Sequence, residues 1–308
     1  INGEYHRKMS PSETRVLKLI AHGAKYTPDL KIIKTAKSAA PIPANQNDGV
    51  KLADVLAAGG EWRGKIINKI GKIDEPAEFE RQFRAEIKAR MTAEFGAGSV
   101  PLKAEIYNAS NVKYVEKKLS KTPEATRKKM NETLQEAVSY LPKSWIEKSN
   151  SFAKPLKLLL MKAQRAFYSE SSHGLLVNSA THVEVYFHEF LHALQRTHPE
   201  IDKYCNEIHV KRTTLPNGKR EKIATIEGYS TKEKGRADHY INPYYGKEYE
   251  IMAGVGNPHE ILTMSFQHVL FGDKRYGRRD LFLHQLHEQG EPGHEIIDLV
   301  LGLLSRVK

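Results

Sequence analysis

The sequence predicts an α+β protein: a mainly helical, basic region of residues 1–134, followed by a domain of residues 135–308 with a small sheet packed on one helix. Three observations predict this class. Apolar residues recur at helical spacing in the first region, and two short apolar runs directly precede an amphipathic helix in the second. The single cysteine among 308 residues excludes a disulfide scaffold and a multi-cysteine zinc module.

The charge of the chain is uneven. Residues 1–150 carry 27 Lys and Arg against 18 Asp and Glu, a net charge of +9, and the remainder carries only +2. Such an excess can attract nucleic acid, an acidic partner or anionic lipid, but a solvated lysine-rich surface is the plainer interpretation, because no nucleic-acid-binding motif accompanies it. No apolar run approaches the ~18 residues of a membrane span, so none is expected.

Spacing and turn signals predict the elements of the first region. Residues 75–95 form the strongest helix, with Pro76 near its start, Gly96 after its end and an apolar stripe every four residues: Phe79, Phe83, Ile87 and Met91. Weaker signals predict a helix over 11–20, a loop over 39–49, a helix over 50–58 that ends at Gly59-Gly60, a strand over 104–107 and a helix over 122–140.

The second region begins with two expected strands, 165–168 and 174–178, joined by a turn. An amphipathic helix over 180–196 follows them. The rest of this region is expected to contain loops and a hairpin over 199–256, a helix beginning at 257–258, and a last helix over 279–304 with a break near 290–293.

The helix over 180–196 contains the pattern H-E-x-x-H, as His188-Glu189-Phe190-Leu191-His192. Histidines at i and i+4 lie one turn apart on one face, so both imidazoles can reach one metal ion. Zinc lowers the pKa of a water ligand to about 7, and Glu189 stands where it can accept that proton as a general base. The pattern therefore predicts a zinc hydrolase site.

Two residues compete as the third ligand. His198 completes the metzincin spacing H-E-x-x-H-x-x-G-x-x-H, but Gln195 replaces the glycine that makes the required sharp turn cheap. Glu260, on the helix that begins at 257–258, would give the gluzincin arrangement. Glu260 is also the fourth residue of a capping box that starts at Asn257, a role that needs no metal. The pattern alone leaves the choice open.

Five stretches resemble a known family. In order, they read Leu141-Pro142-Lys143-Ser144-Trp145, Arg165-Ala166-Phe167-Tyr168, the H-E-x-x-H pattern, Asn242-Pro243-Tyr244-Tyr245-Gly246-Lys247-Glu248-Tyr249 and Glu260-Ile261-Leu262-Thr263-Met264. Over about residues 135–305 the chain resembles the zincin-like domain of phage and prophage head-morphogenesis proteins and of related bacterial toxin modules. Only H-E-x-x-H is highly specific in this resemblance.

The resemblance implies the remaining site residues. It makes Glu260 the third ligand beside His188 and His192. It also implies that a tyrosine near the metal donates a hydrogen bond to the oxyanion, with Tyr244, Tyr245 and Tyr249 as the candidates. The acidic residue that often follows the methionine in that family is absent here, since the stretch reads Ser265-Phe266-Gln267-His268.

These observations predict a zinc metallopeptidase that cleaves a protein or peptide, with Glu189 as general base. One alternative is a non-catalytic phage particle or head-assembly component, in which the zinc site is structural or vestigial and the basic half docks to DNA or to phage structural proteins. Another is a secreted toxin or effector protease. The expected location is accordingly the bacterial cytoplasm, the phage virion or, for a toxin, the outside of the cell.

Overall fold

The computed structural model describes residues 25–26, 32–33, 49–109, 119–121, 123–161, 166–178, 181–226, 233–236, 240, 242–248, 260–272 and 282–306. Contacts divide the chain into two units, residues 1–49 and residues 50–308. In the first unit, strand β1 (Lys25–Tyr26) pairs with β2 (Ile32–Ile33) in antiparallel fashion. The helix expected over 11–20 lies outside the described residues, as does the loop expected over 39–49 apart from its last residue.

The second unit combines helices with a mixed sheet, which confirms the α+β class. Its described helices are α1 (Leu52–Ile70), α2 (Pro76–Phe95), α3 (Glu124–Val138), α4 (Lys143–Asn150), α5 (Val183–Thr197), α6 (Pro199–Arg212), α7 (Glu260–Leu270), α8 (Phe282–Glu288) and α9 (Glu291–Arg306). Within the described residues, no helix combines the length and the apolar character needed to cross a membrane.

The sheet has the strand order β4-β3-β5-β7-β6. Its strands are β3 (Ala104–Ala109), β4 (Leu119–Lys121), β5 (Leu156–Leu160), β6 (Phe167–Ser169) and β7 (Gly174–Val177). The inner strands β3, β5 and β7 run parallel, and the outer strands β4 and β6 pair antiparallel with their neighbours. The hairpin predicted before the H-E-x-x-H helix is therefore confirmed as β6 and β7, and α5 contacts both of these strands.

The helix end predicted at Gly59-Gly60 is wrong, because α1 continues through both glycines. Close helix packing explains why the residue at position 59 is glycine. A Cβ atom at position 59 would lie 1.8 Å from the carbonyl oxygen of Asp298 on α9. Likewise, a Cβ atom on Gly302 of α9 would lie 2.0 Å from the carbonyl oxygen of Val55 on α1. Glycine at these positions allows the two backbones to touch, so it marks a helix contact rather than a helix end.

Two helix contacts join parts of the chain that are far apart in the sequence: α1 packs along α9, and α2 packs against α8. The boundary predicted after residue 134 falls inside the second unit. The separate roles expected for residues 1–134 and 135–308 stay a prediction.

The expectation of irregular structure from residue 199 onward is wrong for its first part, which is helix α6. The preceding helix α5 ends at Thr197, and Pro199 occupies the first turn of α6, where a missing N–H costs nothing. The buried side chains of α6 recur at helical spacing: Ile201, Tyr204, Cys205 and Ile208. The break predicted in the last helix is confirmed between α8 and α9, where Gly290 has a φ of 67°.

A side chain of α2 caps the C-terminal end of α7. The guanidinium of Arg84 donates hydrogen bonds to the carbonyl oxygens of His268 and Val269, both at 3.0 Å. Glu80 holds the same guanidinium at 2.7 Å and accepts a hydrogen bond at 3.0 Å from the backbone N–H of His284 at α8. A cation at a helix C-terminus satisfies free carbonyl groups and the helix dipole, so α2 fixes one end of α7.

We expect Arg84→Met to lower the free energy of unfolding by about 2 kcal/mol, because it removes charged hydrogen bonds and leaves Glu80 buried without its cation. Chemical denaturation of the full chain measures this loss. The matched control is Arg81→Met on the same helix, which breaks an exposed ion pair with Glu78 and should change stability little. Equal losses in the two variants would contradict the capping role of Arg84.

Candidate metal centre

The two histidines of the H-E-x-x-H pattern lie on the face of α5 that contacts α7. His188 and His192 are one turn apart, and their ring centroids are 5.2 Å apart. Other side chains of α5 anchor the helix in the core: Phe187, Phe190, Leu191 and Leu194 are all at most 1% exposed. The rigid, amphipathic helix therefore sets the spacing of both imidazoles.

Glu260, the first residue described in α7, completes the group. Its Oε2 lies 3.2 Å from Nε2 of His188 and 3.5 Å from Nε2 of His192. The three ligand atoms all lie within 4.8 Å of one another, so the group could hold a metal ion. A tetrahedral ion with ligands at about 2.0–2.1 Å needs ligand atoms about 3.3–3.4 Å apart, and the two measured distances fit this geometry.

Hydrogen bonds on the far side of each imidazole orient its Nε2. Nδ1 of His188 lies 2.9 Å from Oε1 of Gln267, and Nδ1 of His192 lies 3.1 Å from Oε1 of Gln195. An amide oxygen only accepts, so each Nδ1 carries the proton. A neutral imidazole protonated on Nδ1 has its lone pair on Nε2, which is the form that binds a metal.

The ionisable side chains of this group shift one another's pKa values. Burial alone would lower the pKa of His192, but the charges of Glu260 and Glu189 outweigh burial and raise that pKa to about 9. Burial likewise opposes ionisation of Glu260, yet the imidazoles of His192 and His188 hold the pKa of its carboxyl well below the usual range. Glu260 is therefore a carboxylate, and a metal ion that binds must displace the proton of His192.

Further contacts hold the carboxylate of Glu260, whose side chain is 1% exposed. The hydroxyl of Thr263 donates to its Oε2 at 2.7 Å, and Nζ of Lys247 lies 3.6 Å from its Oε1. Lys247 also lies 2.7 Å from Glu233 and donates to the hydroxyl of Tyr244 at 2.6 Å. Asn257, the alternative capping partner of Glu260, lies outside the described residues.

The candidate tyrosines have different surroundings. Tyr244 is connected to Glu260 through Lys247, so its hydroxyl lies one side chain away from the ligand group. The hydroxyl of Tyr245 is fully buried and lies 2.7 Å from Nδ1 of His268. Tyr249 lies outside the described residues. The oxyanion role of these tyrosines stays a prediction.

Glu189, the candidate general base, lies against the edge of the sheet. Its Oε2 accepts a hydrogen bond of 2.8 Å from the backbone N–H of Tyr168 in β6. That bond ties the carboxylate to the outermost strand, since β6 is the last strand of the sheet on this side. One carboxylate oxygen is thus fixed by the backbone, and no described residue forms a hydrogen bond with Oε1.

His198, the alternative third ligand, does not belong to the described ligand group. It ends α5 and is fully buried, with its ring 5.7 Å from that of Trp145 and its Nδ1 2.7 Å from the hydroxyl of Thr197. The structure therefore brings Glu260, and not His198, to the two histidines.

The residues that surround the ligand group were not predicted from the sequence. Gln267 lies seven residues after Glu260, two turns along the same face of α7, and Gln195 lies three residues after His192 on α5. Helical spacing from a ligand was the available signal in both cases. Lys247 has no such signal, because it reaches Glu260 only through the path of the chain. That path runs through the antiparallel pair of β8 (Ala224–Thr225) and β9 (Lys234–Gly235) and then the 3₁₀ helix Pro243–Gly246.

Comparison of the chain with protein-family models, curated proteins and solved structures gave no match. The resemblance to the zincin-like domain accordingly stays a prediction, and the centre rests on its own geometry.

We expect the purified full chain to hold about one zinc ion, with the ion lost in His188→Ala and in Glu260→Ala. His198→Phe is the matched control, because it replaces a buried ring outside the ligand group and should retain the ion. Elemental mass spectrometry after extensive dialysis gives metal content per chain. Zinc retained in Glu260→Ala but lost in His198→Phe would reverse the ligand assignment.

We also expect His198 to reduce stability in acid. Burial, assisted by the charge of Lys148, lowers its pKa to about 3, whereas the unfolded chain takes up a proton at about pH 6.5. The folded state therefore loses up to about 1.4 kcal/mol per pH unit as the pH falls through this window. Urea unfolding at about pH 7 and about pH 5, with chelator present, should show a smaller acid loss in His198→Phe. Identical pH dependence in both proteins would contradict this.

Proposed function

We propose that the protein is a zinc-dependent hydrolase, and specifically a metallopeptidase that cleaves a protein or peptide. The observation that carries this proposal is the position of Glu260 at 3.2 Å and 3.5 Å from the Nε2 atoms of His188 and His192, with Glu189 next to the first of them. Two imidazoles and one carboxylate form a ligand set typical of catalytic zinc sites, which keep a fourth position open.

The ligand group supports zinc by its chemistry. Each histidine presents an Nε2 lone pair, and the carboxylate of Glu260 supplies one negative charge that offsets part of the charge of a divalent ion. Both imidazoles keep 12% of their side-chain surface exposed, so small molecules can reach them. When bound there, zinc would act as a Lewis acid toward water and toward the carbonyl group of a substrate.

Glu189 would move the protons of the reaction. The backbone of Tyr168 holds Oε2, which leaves Oε1 to accept the proton released as water adds to the substrate carbonyl. The same carboxylate would then give that proton to the leaving amine nitrogen when the C–N bond breaks. Protons balance over this cycle, because Glu189 ends ionised as it began.

An extended chain is the form of substrate that best suits this site. Strand β6 is the outermost strand of the sheet next to α5, and the N–H of Tyr168 points away from β7 toward Glu189. A peptide added along such an edge would pair with backbone groups and pass the carboxylate. The resemblance to zincin-like domains supports the same substrate class, with phage assembly or toxin action as the setting.

We expect Glu189→Gln to abolish peptide cleavage, because an amide cannot take a proton, while zinc content and melting temperature stay close to wild type. Cleavage of a broad peptide library followed by mass spectrometry measures activity. The matched control is Glu170→Gln in the turn after β6, an exposed carboxylate that pairs with Arg196 of α5, which should cleave like wild type.

Two results would count against the proposal. Cleavage that persists in Glu189→Gln would assign the activity to another group or to a contaminant. A wild-type protein that binds zinc but cleaves nothing in the library would favour the alternative of a structural zinc site in an assembly component.

A further inference from the structure

His192 is connected to a carboxylate that does not touch the ligand group. Its Nδ1 lies 3.1 Å from Oε1 of Gln195, and Nε2 of Gln195 donates a hydrogen bond of 2.8 Å to Oδ1 of Asp202. Asp202 lies in the first turn of α6. The chain reverses at His198, between α5 and α6, and this turn brings Asp202 back beside Gln195.

The chemistry of these three groups fixes the direction of each hydrogen bond. An ionised carboxylate only accepts, so the amide of Gln195 must turn its NH₂ group toward Asp202. Its oxygen must then face His192, and an oxygen can hold only a protonated Nδ1 there. Asp202 therefore determines, through Gln195, which nitrogen of His192 carries the proton.

His188 lacks this constraint. Its partner Gln267 also presents an amide oxygen at 2.9 Å, but Nε2 of Gln267 has no hydrogen-bond partner among the residues that the structure describes. No described residue therefore prevents the amide group of Gln267 from rotating to exchange its oxygen and nitrogen. In Gln195, both the oxygen and the nitrogen of the amide have a partner.

We propose that Asp202 and Gln195 are positioning residues for the metal centre, and that together they hold the Nδ1 proton and the ring plane of His192. This inference rests on the proposed zinc site and extends it to two residues that do not touch the ion. The amide acts as a spacer, so the negative charge of Asp202 strengthens the acceptor on His192 without placing a second carboxylate beside it.

Asp202 can also stabilise the start of α6, and the experiment must separate that structural role from the positioning of His192. An acidic side chain in the first turn stabilises a helix through its dipole, and Glu200 occupies the same turn of α6. A structural role predicts that Asp202→Ala and Glu200→Ala change stability and leave metal affinity alone. Glu200 is therefore the matched control, since it pairs with Lys148 at 2.7 Å and has no contact with Gln195 in the described structure.

The experiment measures zinc affinity of the full chain by competition with a chelator. We expect Gln195→Met and Asp202→Ala each to weaken affinity about tenfold, as removal of outer-shell partners usually does, and Glu200→Ala to leave it unchanged. The double variant should bind zinc no more weakly than Gln195→Met alone, because Asp202 acts only through the amide. Thermal unfolding of the metal-free proteins identifies any variant that fails to fold.

A second readout keeps the test decisive if one variant is unstable. In ¹⁵N-labelled, zinc-loaded protein, the Nδ1 proton of His192 should give a resonance protected from solvent exchange, which Asp202→Asn shifts and Asp202→Glu restores. Wild-type affinity and an unchanged resonance in the Asp202 variants would overturn the proposal, as would additive losses in the double variant.

These outcomes separate the inference from the proposed function. If the protein cleaves no peptide but Gln195→Met and Asp202→Ala bind zinc more weakly, the inference is supported and the peptidase proposal is contradicted. A wild-type chain that binds no zinc would contradict both.

Discussion

The charge of Glu260 is the constraint on which the second unit depends. A carboxylate that is 1% exposed is costly unless cations and hydrogen bonds surround it. Its partners come from α5 through His188 and His192, from α7 itself through Thr263, and from the segment after β9 through Lys247. Separate parts of the chain converge there because each supplies a group that this charge requires.

The helix that carries Glu260 is held at both ends. His188 and His192 contact its first residue, Glu260, and Arg84 of α2 binds the carbonyl groups of its last turn. The segment that brings Lys247 is anchored in turn, because the next residue, Glu248, lies 2.7 Å from Arg236 and 2.8 Å from His209. Residues before position 134 thus support the geometry of a centre that lies entirely beyond that position in the sequence.

The features that could be predicted from the sequence are those set by the spacing of residues along a single helix or strand. H-E-x-x-H placed two candidate ligands on one helix, and the resemblance selected Glu260 as the third, a choice that the pattern alone left open. Features set by contacts between residues far apart in the sequence could not be predicted. Gly59 was interpreted as a helix end because its neighbour on α9 is more than two hundred residues away in the chain. Gln195 was interpreted only as a replacement for the glycine of the metzincin pattern. The turn into α6 is what brings Asp202 to its amide, which also contacts His192.

The contact of α1 with α9 has a consequence for how the protein forms during synthesis. The guanidinium of Arg63 on α1 binds Asp298 at 2.7 Å across 235 residues, next to the glycines that let the two backbones touch. Until α9 leaves the ribosome, the face of α1 around Val55 and Gly59 lacks the helix that packs against it. Packing of α1 therefore waits for the last helix of this unit, and a nascent chain stalled before it would present that face of α1 to chaperones.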